Sequence, residues 1–252
     1  MSEPVLPPDY FENINNIIIG TKKNDSLQGD DNKNDRISGG TGNDTIAGGA
    51  GDDLIFGGRG GDLIFGEDGT DIIFGGDGND NISGDAGNDW IFGEAGSDSI
   101  NGGDGNDTIF GGAGNDSING GDGNDWIYGN DGNDLIAGGD GNDRIIGGRG
   151  NDTIDAGDGN DYIQLITGSD LITLGAGTDT LYYAKSTAAQ GGASTVADFT
   201  SGVDKILLDQ GTNFQITGGG KTVIFKAANS NIRTTLISGK DVFMVSDINF
   251  LG

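Results

Sequence analysis

Seventeen aspartates recur at intervals of nine without one substitution: Asp35, Asp44, Asp53, Asp62, Asp71, Asp80, Asp89, Asp98, Asp107, Asp116, Asp125, Asp134, Asp143, Asp152, Asp161, Asp170 and Asp179. The chain has no His and no Cys. The commonest general base and the strongest nucleophile are missing, so an enzyme is not expected. Carboxylates without imidazole or thiolate point to a hard cation. Ca²⁺ takes about six to eight oxygens from carboxylates and backbone carbonyls, whereas Zn²⁺ and Cu²⁺ favour His or Cys. Mg²⁺ demands stricter octahedral geometry and keeps its waters. All seventeen aspartates are therefore candidate calcium ligands.

Two residues after each Asp stands a bulky aliphatic, Ile from Ile37 to Ile172 and finally Leu181. Gly39 to Tyr182 is thus a run of in-phase nonapeptides, typified by Gly102-Gly103-Asp104-Gly105-Asn106-Asp107-Thr108-Ile109-Phe110. Three residues such as Thr108-Ile109-Phe110 predict a short strand with Ile inward and its neighbours outward. The six before them predict a turn, where glycine permits conformations that a Cβ forbids. Turn, strand, turn, strand closes one coil in eighteen residues, and successive coils stack as parallel strands about 4.7–4.9 Å apart. Residues eighteen apart become neighbours, so Asp53 faces Asp71 on one edge and Asp44 faces Asp62 on the other. Pairing along both edges gives up to about 15 calcium sites, each drawing on two carboxylates and turn carbonyls.

Composition bounds the rest. Only 33% of the 252 residues are hydrophobic, so the core must be thin. Residues 39–182 carry 28 acidic against 3 basic side chains, which is nearly all of the net charge of −27. Such a block disfavours nucleic acid, whose phosphates call for Lys and Arg, and leaves multivalent cations as partners. Apolar runs long enough for a membrane helix are absent. Met1 to Asn16 has no apolar segment of the kind that marks a cleaved secretory signal, so export is expected to proceed without one.

The unit G-G-x-G-x-D-x-U-x, seen as Gly120-Gly121-Asp122-Gly123-Asn124-Asp125-Trp126-Ile127-Tyr128, resembles the calcium-binding nonapeptide of the RTX (repeats-in-toxin) family. That resemblance implies an all-β, right-handed parallel β-roll with Ca²⁺ held between stacked turns by the sixth-position Asp and glycine-turn carbonyls. The pattern departs at the ends. Asp30 to Asp35 lacks Gly, and Leu165 and Leu174 stand where leading glycines would be. Thr195 to Asp209 is similar to the segment that follows RTX rolls in serralysin-type secreted proteases, which implies an uncleaved C-terminal signal for type I secretion. The expected organisation is an N-terminal tail (1–16), a calcium-binding roll (17–182) and a β-rich C-terminal cap with the secretion signal (183–252). The expected location is extracellular or on the cell surface.

Sorted by face, the outward positions divide. One face carries Leu54 with Phe56, Ile72 with Phe74, Trp90 with Phe92, Thr108 with Phe110, and Trp126 with Tyr128. The other carries polar pairs such as Ser99 with Asn101 and Ser117 with Asn119. The aromatic face is a candidate interface, because soluble monomers seldom expose large contiguous apolar patches. Four occupants compete: the C-terminal segment folding back, a second copy in a dimer or layer, a polysaccharide stacking on the rings, and, less favoured, ice. The functional expectation is a secreted, non-enzymatic, calcium-dependent β-roll that is structural, self-associating or adhesive, with a polysaccharide-binding module as the alternative.

Overall fold

The computed structural model describes residues 14, 16–31, 33–183, 193–199, 204–209, 214–217, 222–226 and 248–251. They form two sheets of twelve strands each, and consecutive strands alternate between the sheets. Asn16–Ile19, Asp35–Thr41, Leu54–Arg59 and their successors build one sheet; Ser26–Gln28, Thr45–Ala50, Leu63–Asp68 and theirs build the other. This is a parallel β-solenoid. Through the repeats the register advances by eighteen, with Ile109 beside Ile91 on one side and Ile127 on the other.

The strands are longer than expected, six residues where the repeat suggested three, as in Thr108–Ala113. The second- and third-position residues extend the ladder, Gly103 pairing with Gly121 and Asp104 with Asp122. Only three residues are left for each turn. Gly-Gly read as turn residues because glycine is usually employed there, yet here they let the strand bend at the second position, where Gly103 adopts φ 114°. Four units place a larger residue at that bend, namely Glu67, Asp85, Glu94 and Asn130, all with φ between 70° and 75°.

The core is as thin as the composition requires. It is one column of isoleucines from each sheet, Ile37 through Ile172, almost wholly shielded from water. Leading glycines make room for it. A Cβ at Gly111 would sit 3.1 Å from Ile118 Cδ1 and 2.6 Å from Asp116 Oδ2. Where the leading position is no longer Gly, Ala156, Leu165 and Leu174 are themselves buried in the core.

Both ends of the array stay in register despite losing the sequence phase. The unit around Asp25 stacks because the first coil is one residue longer, pairing Leu27 with Ile46. Past the last nonapeptide, Ala193–Val196 continues one sheet beside Leu171–Thr173, and Lys205–Asp209 continues the other beside Thr180–Tyr183. These coils span 24 and 25 residues, with Leu171 beside Thr195 and Thr180 beside Lys205.

Candidate metal centre

Each phased aspartate sits at the entry to a strand and is buried, from 0% exposed at Asp53 to 4% at Asp170. Its backbone N–H donates to Oδ1 of the aspartate one coil further on. Asp89 N–H reaches Asp107 Oδ1 at 2.8 Å, and Asp107 N–H reaches Asp125 Oδ1 at 2.8 Å. The same bond joins Asp53 to Asp71 and Asp44 to Asp62, the stacking expected from the spacing. The neighbouring asparagines bond in the opposite direction. Asn124 N–H donates back to Asn106 Oδ1 at 2.8 Å, and Asn142 N–H to Asn124 Oδ1 at 2.8 Å. Every such turn is tied to the coil before it by Asn and to the coil after it by Asp, a ladder that in-register parallel stacking makes available.

One carboxylate oxygen per unit is left over. Oδ2 of Asp44, Asp62, Asp71, Asp80, Asp89, Asp98, Asp107, Asp116, Asp125, Asp134 and Asp143 is buried without a hydrogen-bond partner. A buried unpaired polar atom costs about 1–3 kcal/mol, and more when charged, so a file of them needs a compensating group. The arginines of the roll serve elsewhere. Arg59 and Arg149 pair with the exposed Asp77 and Asp131. Arg36 lies over the Phe56 ring, and Arg144 over Trp126 and Tyr162. Burial, opposed by the incoming N–H and reinforced by like charges, pushes Asp71 and Asp89 up to about 8, and Asp125, Asp152 and Asp161 up to about 7.

The orphaned oxygen faces a glycine. A Cβ on Gly102 would collide with Asp107 Oδ2 and with the carbonyl oxygen of Gly120 in the next coil. Those two oxygens converge on a space that only Gly leaves open, and Asp125 Oδ1 points back toward it from above. This donor set contains oxygen alone, as a hard divalent cation requires. Among the described residues no three acidic side chains converge on one point, so any ion between coils draws on stacked single carboxylates together with turn carbonyls.

The aromatic positions behave differently from one another. Phe56, Phe74, Phe92, Phe110 and Tyr128 form a continuous stack, with centroids 4.7–5.1 Å apart and planes within 8° of parallel. Trp90 and Trp126 are half-buried. Leu54 and Ile72, expected to stand exposed beside them, are instead 4% and 0% exposed. Ile72 is flanked in register by Leu54 and Trp90 and lies two residues from the phenyl column, which encloses it.

Sequence reasoning missed four side chains that continue or end these ladders. Asp25 N–H donates to Asp44 Oδ1, and Asp25 Oδ2 accepts from the N–H and hydroxyl of Thr21. Ser194 stands where the next aspartate of that edge would be, accepting from Asp170 N–H and donating to Asp170 Oδ2. On the other edge Asp204 accepts from Asp179 N–H at 3.1 Å, while Asp198 accepts from Leu174 N–H and Gly175 N–H. A signal existed for Asp204, since Gly202-Val203-Asp204-Lys205-Ile206-Leu207 spells the last six positions of the nonapeptide. It lies off the nine-residue phase.

No curated protein sequence matches the chain. A family model for the RTX calcium-binding nonapeptide repeat matches residues 13–34, 31–64, 65–100, 101–136, 128–163 and 167–185. With its glycine-lined carboxylate files stacked at eighteen-residue intervals, the chain belongs to the RTX calcium-binding nonapeptide repeat family.

Proposed function

We propose that this is a secreted, non-catalytic structural protein whose roll is assembled by Ca²⁺ and whose aromatic sheet face packs against a second copy. The observation that carries the calcium part is the file of buried carboxylate oxygens without partners. In each gap the ligands are the lower Asp Oδ2, the upper Asp Oδ1 and the leading-glycine carbonyl, for example Asp107, Asp125 and Gly120. Bound calcium supplies positive charge that offsets the buried carboxylates. The seventeen phased aspartates from Asp35 to Asp179 are the proposed ligands, and up to about 15 ions would fill the two edges. Calcium modules that work outside cells commonly have Kd values of about 10⁻⁴–10⁻³ M, which suits folding on export. Residues 183–252 are read as the cap and the type I secretion signal.

The ring geometry bears on the choice of partner. Sugar binding by stacking requires an open aromatic face, but the faces of Phe74, Phe92 and Phe110 are each covered by the rings above and below. The column offers ring edges to solvent, which suits a flat apolar surface better than a pyranose. Replacing Phe74, Phe92 and Phe110 by Ser should leave a folded protein in saturating Ca²⁺ that sediments as a smaller species than wild type. An unchanged mass would contradict the interface, and the control Ser99→Ala with Ser117→Ala should sediment as wild type does.

A further inference from the structure

The two edges of the roll end in chemically different ways. On one edge the last phased aspartate, Asp170, meets Ser194. The hydroxyl accepts Asp170 N–H at 3.2 Å and donates to Asp170 Oδ2 at 2.9 Å, so both oxygens of that carboxylate are engaged by protein, Oδ1 taking Asp152 N–H. This end is closed by a neutral clamp. On the other edge Asp179 meets a carboxylate. Asp204 Oδ1 accepts Asp179 N–H at 3.1 Å, the bond that joins every lower pair of the file. Asp179 is wholly buried, Asp204 is 4% exposed, and Asp179 Oδ2 has no hydrogen-bond partner. Asp198, from the same segment as Asp204, binds the N–H groups of Leu174 and Gly175 at the start of the same turn and brings a third acidic group to this end. The side chain of Lys205, next in sequence, is exposed.

We propose that Asp179 and Asp204 hold a further calcium ion, beyond the run of nonapeptides, which locks the 193–209 segment onto the last turn of the roll. The proposal rests on the calcium reading of the main file. It assigns Asp204 a ligand's role although its register is 25 residues from Asp179 rather than eighteen. The pair repeats the arrangement of the lower gaps: an orphaned Oδ2 below, and a carboxylate above whose Oδ1 takes the lower residue's N–H. The leading glycine is the part that is not repeated, since Leu174 fills that position with a side chain buried in the core. The site therefore depends more heavily on its two carboxylates than the glycine-lined gaps do. A buried carboxylate pair needs either a cation or a shared proton, and neighbours that already form a calcium file favour the cation.

Native mass spectrometry of the full chain in saturating Ca²⁺ counts bound ions as integers. Asp204→Ser copies the clamp that Ser194 provides on the other edge, and it should bind one ion fewer than wild type while 193–209 keeps its protection from protease. Asp204→Asn should also lose one ion. Ser194→Ala, which removes the clamp and no carboxylate, should lose none. An Asp204→Ser protein with the wild-type ion count would overturn the proposal and assign the pair a shared proton. Loss of several ions from Asp204→Ser would also overturn it, because Asp204 would then act in folding rather than as a ligand. If the main file does not bind calcium, wild type itself will carry few ions, which separates that failure from failure of this site alone.

Discussion

Every unit contains a carboxylate whose two oxygens have different fates. Asp107 Oδ1 is satisfied by Asp89 N–H, whereas Oδ2 is buried and unpaired beside Gly102 and the Gly120 carbonyl. Replacing Asp107 by Ala should weaken the ions shared with Asp89 and with Asp125. The exposed Asp104, three residues earlier, carries the same charge and lies outside the file, so Asp104→Ala should leave binding unchanged. Calcium titration followed by calorimetry distinguishes them, and equal effects would refute the stacking assignment. A second residue-scale expectation concerns Glu94, held at φ 74° with its side chain exposed. The left-handed conformation costs a residue with a Cβ about 1–2 kcal/mol, and glycine's larger unfolded-state entropy offsets part of that. Glu94→Gly should therefore stabilise the calcium-loaded roll by up to about 1 kcal/mol in denaturant unfolding. A loss of stability would mean that the Glu94 side chain contributes more than its backbone costs.

At the scale of the strand, in-register parallel stacking multiplies whatever stands at one position. It makes an isoleucine column inside, asparagine ladders at the turns and a five-ring stack outside. Phe92 is stacked on both Phe74 and Phe110. Aromatic pairs contribute about 0.5–1.5 kcal/mol each beyond area burial, so Phe92→Ala should cost about 1–3 kcal/mol in saturating Ca²⁺. Ser99→Ala, on the polar face, should cost less than about 0.5 kcal/mol. The sequence made the columns legible, because an unbroken period of nine with Ile two residues after Asp admits only one stacking. It did not make the strand length legible, since Gly102-Gly103-Asp104 has turn composition yet lies in the ladder as far as Asp104. Nor did it disclose that Leu54 and Ile72 are enclosed, because outward alternation says which face a side chain takes and not how closely its neighbours crowd it. Asp204 and Ser194 were hidden by the longer last coils, which break the spacing on which the reading depended.

The whole molecule is a charge problem solved along an axis. Its net charge is −27, and the most deeply perturbed carboxyls are stacked inside the solenoid. Asp71 and Asp89 rise from the ordinary 3.8 to about 8 through burial first, and Asp125, Asp152 and Asp161 to about 7. A carboxyl whose folded value lies above its unfolded one binds more protons when folded, so folding weakens as pH rises through that interval. Without calcium, the roll should lose stability progressively between about pH 4 and pH 8. In chelator, β-structure should therefore be more persistent near the acid end of that window than at its upper end. Calcium affinity should rise across the same interval as protons leave the ligands. A chelated protein whose β-content is independent of pH would show that the carboxylate file does not limit folding.

The central claim is that the coils stack because calcium occupies the space between their carboxylates. Far-ultraviolet circular dichroism of the full chain at neutral pH, first in excess chelator and then through a calcium titration, tests it most directly. Coil in chelator converting cooperatively to β-structure as calcium is added is the predicted result, as for sites that do not exist in the unfolded chain. A β spectrum that persists unchanged in chelator at neutral pH would contradict the account.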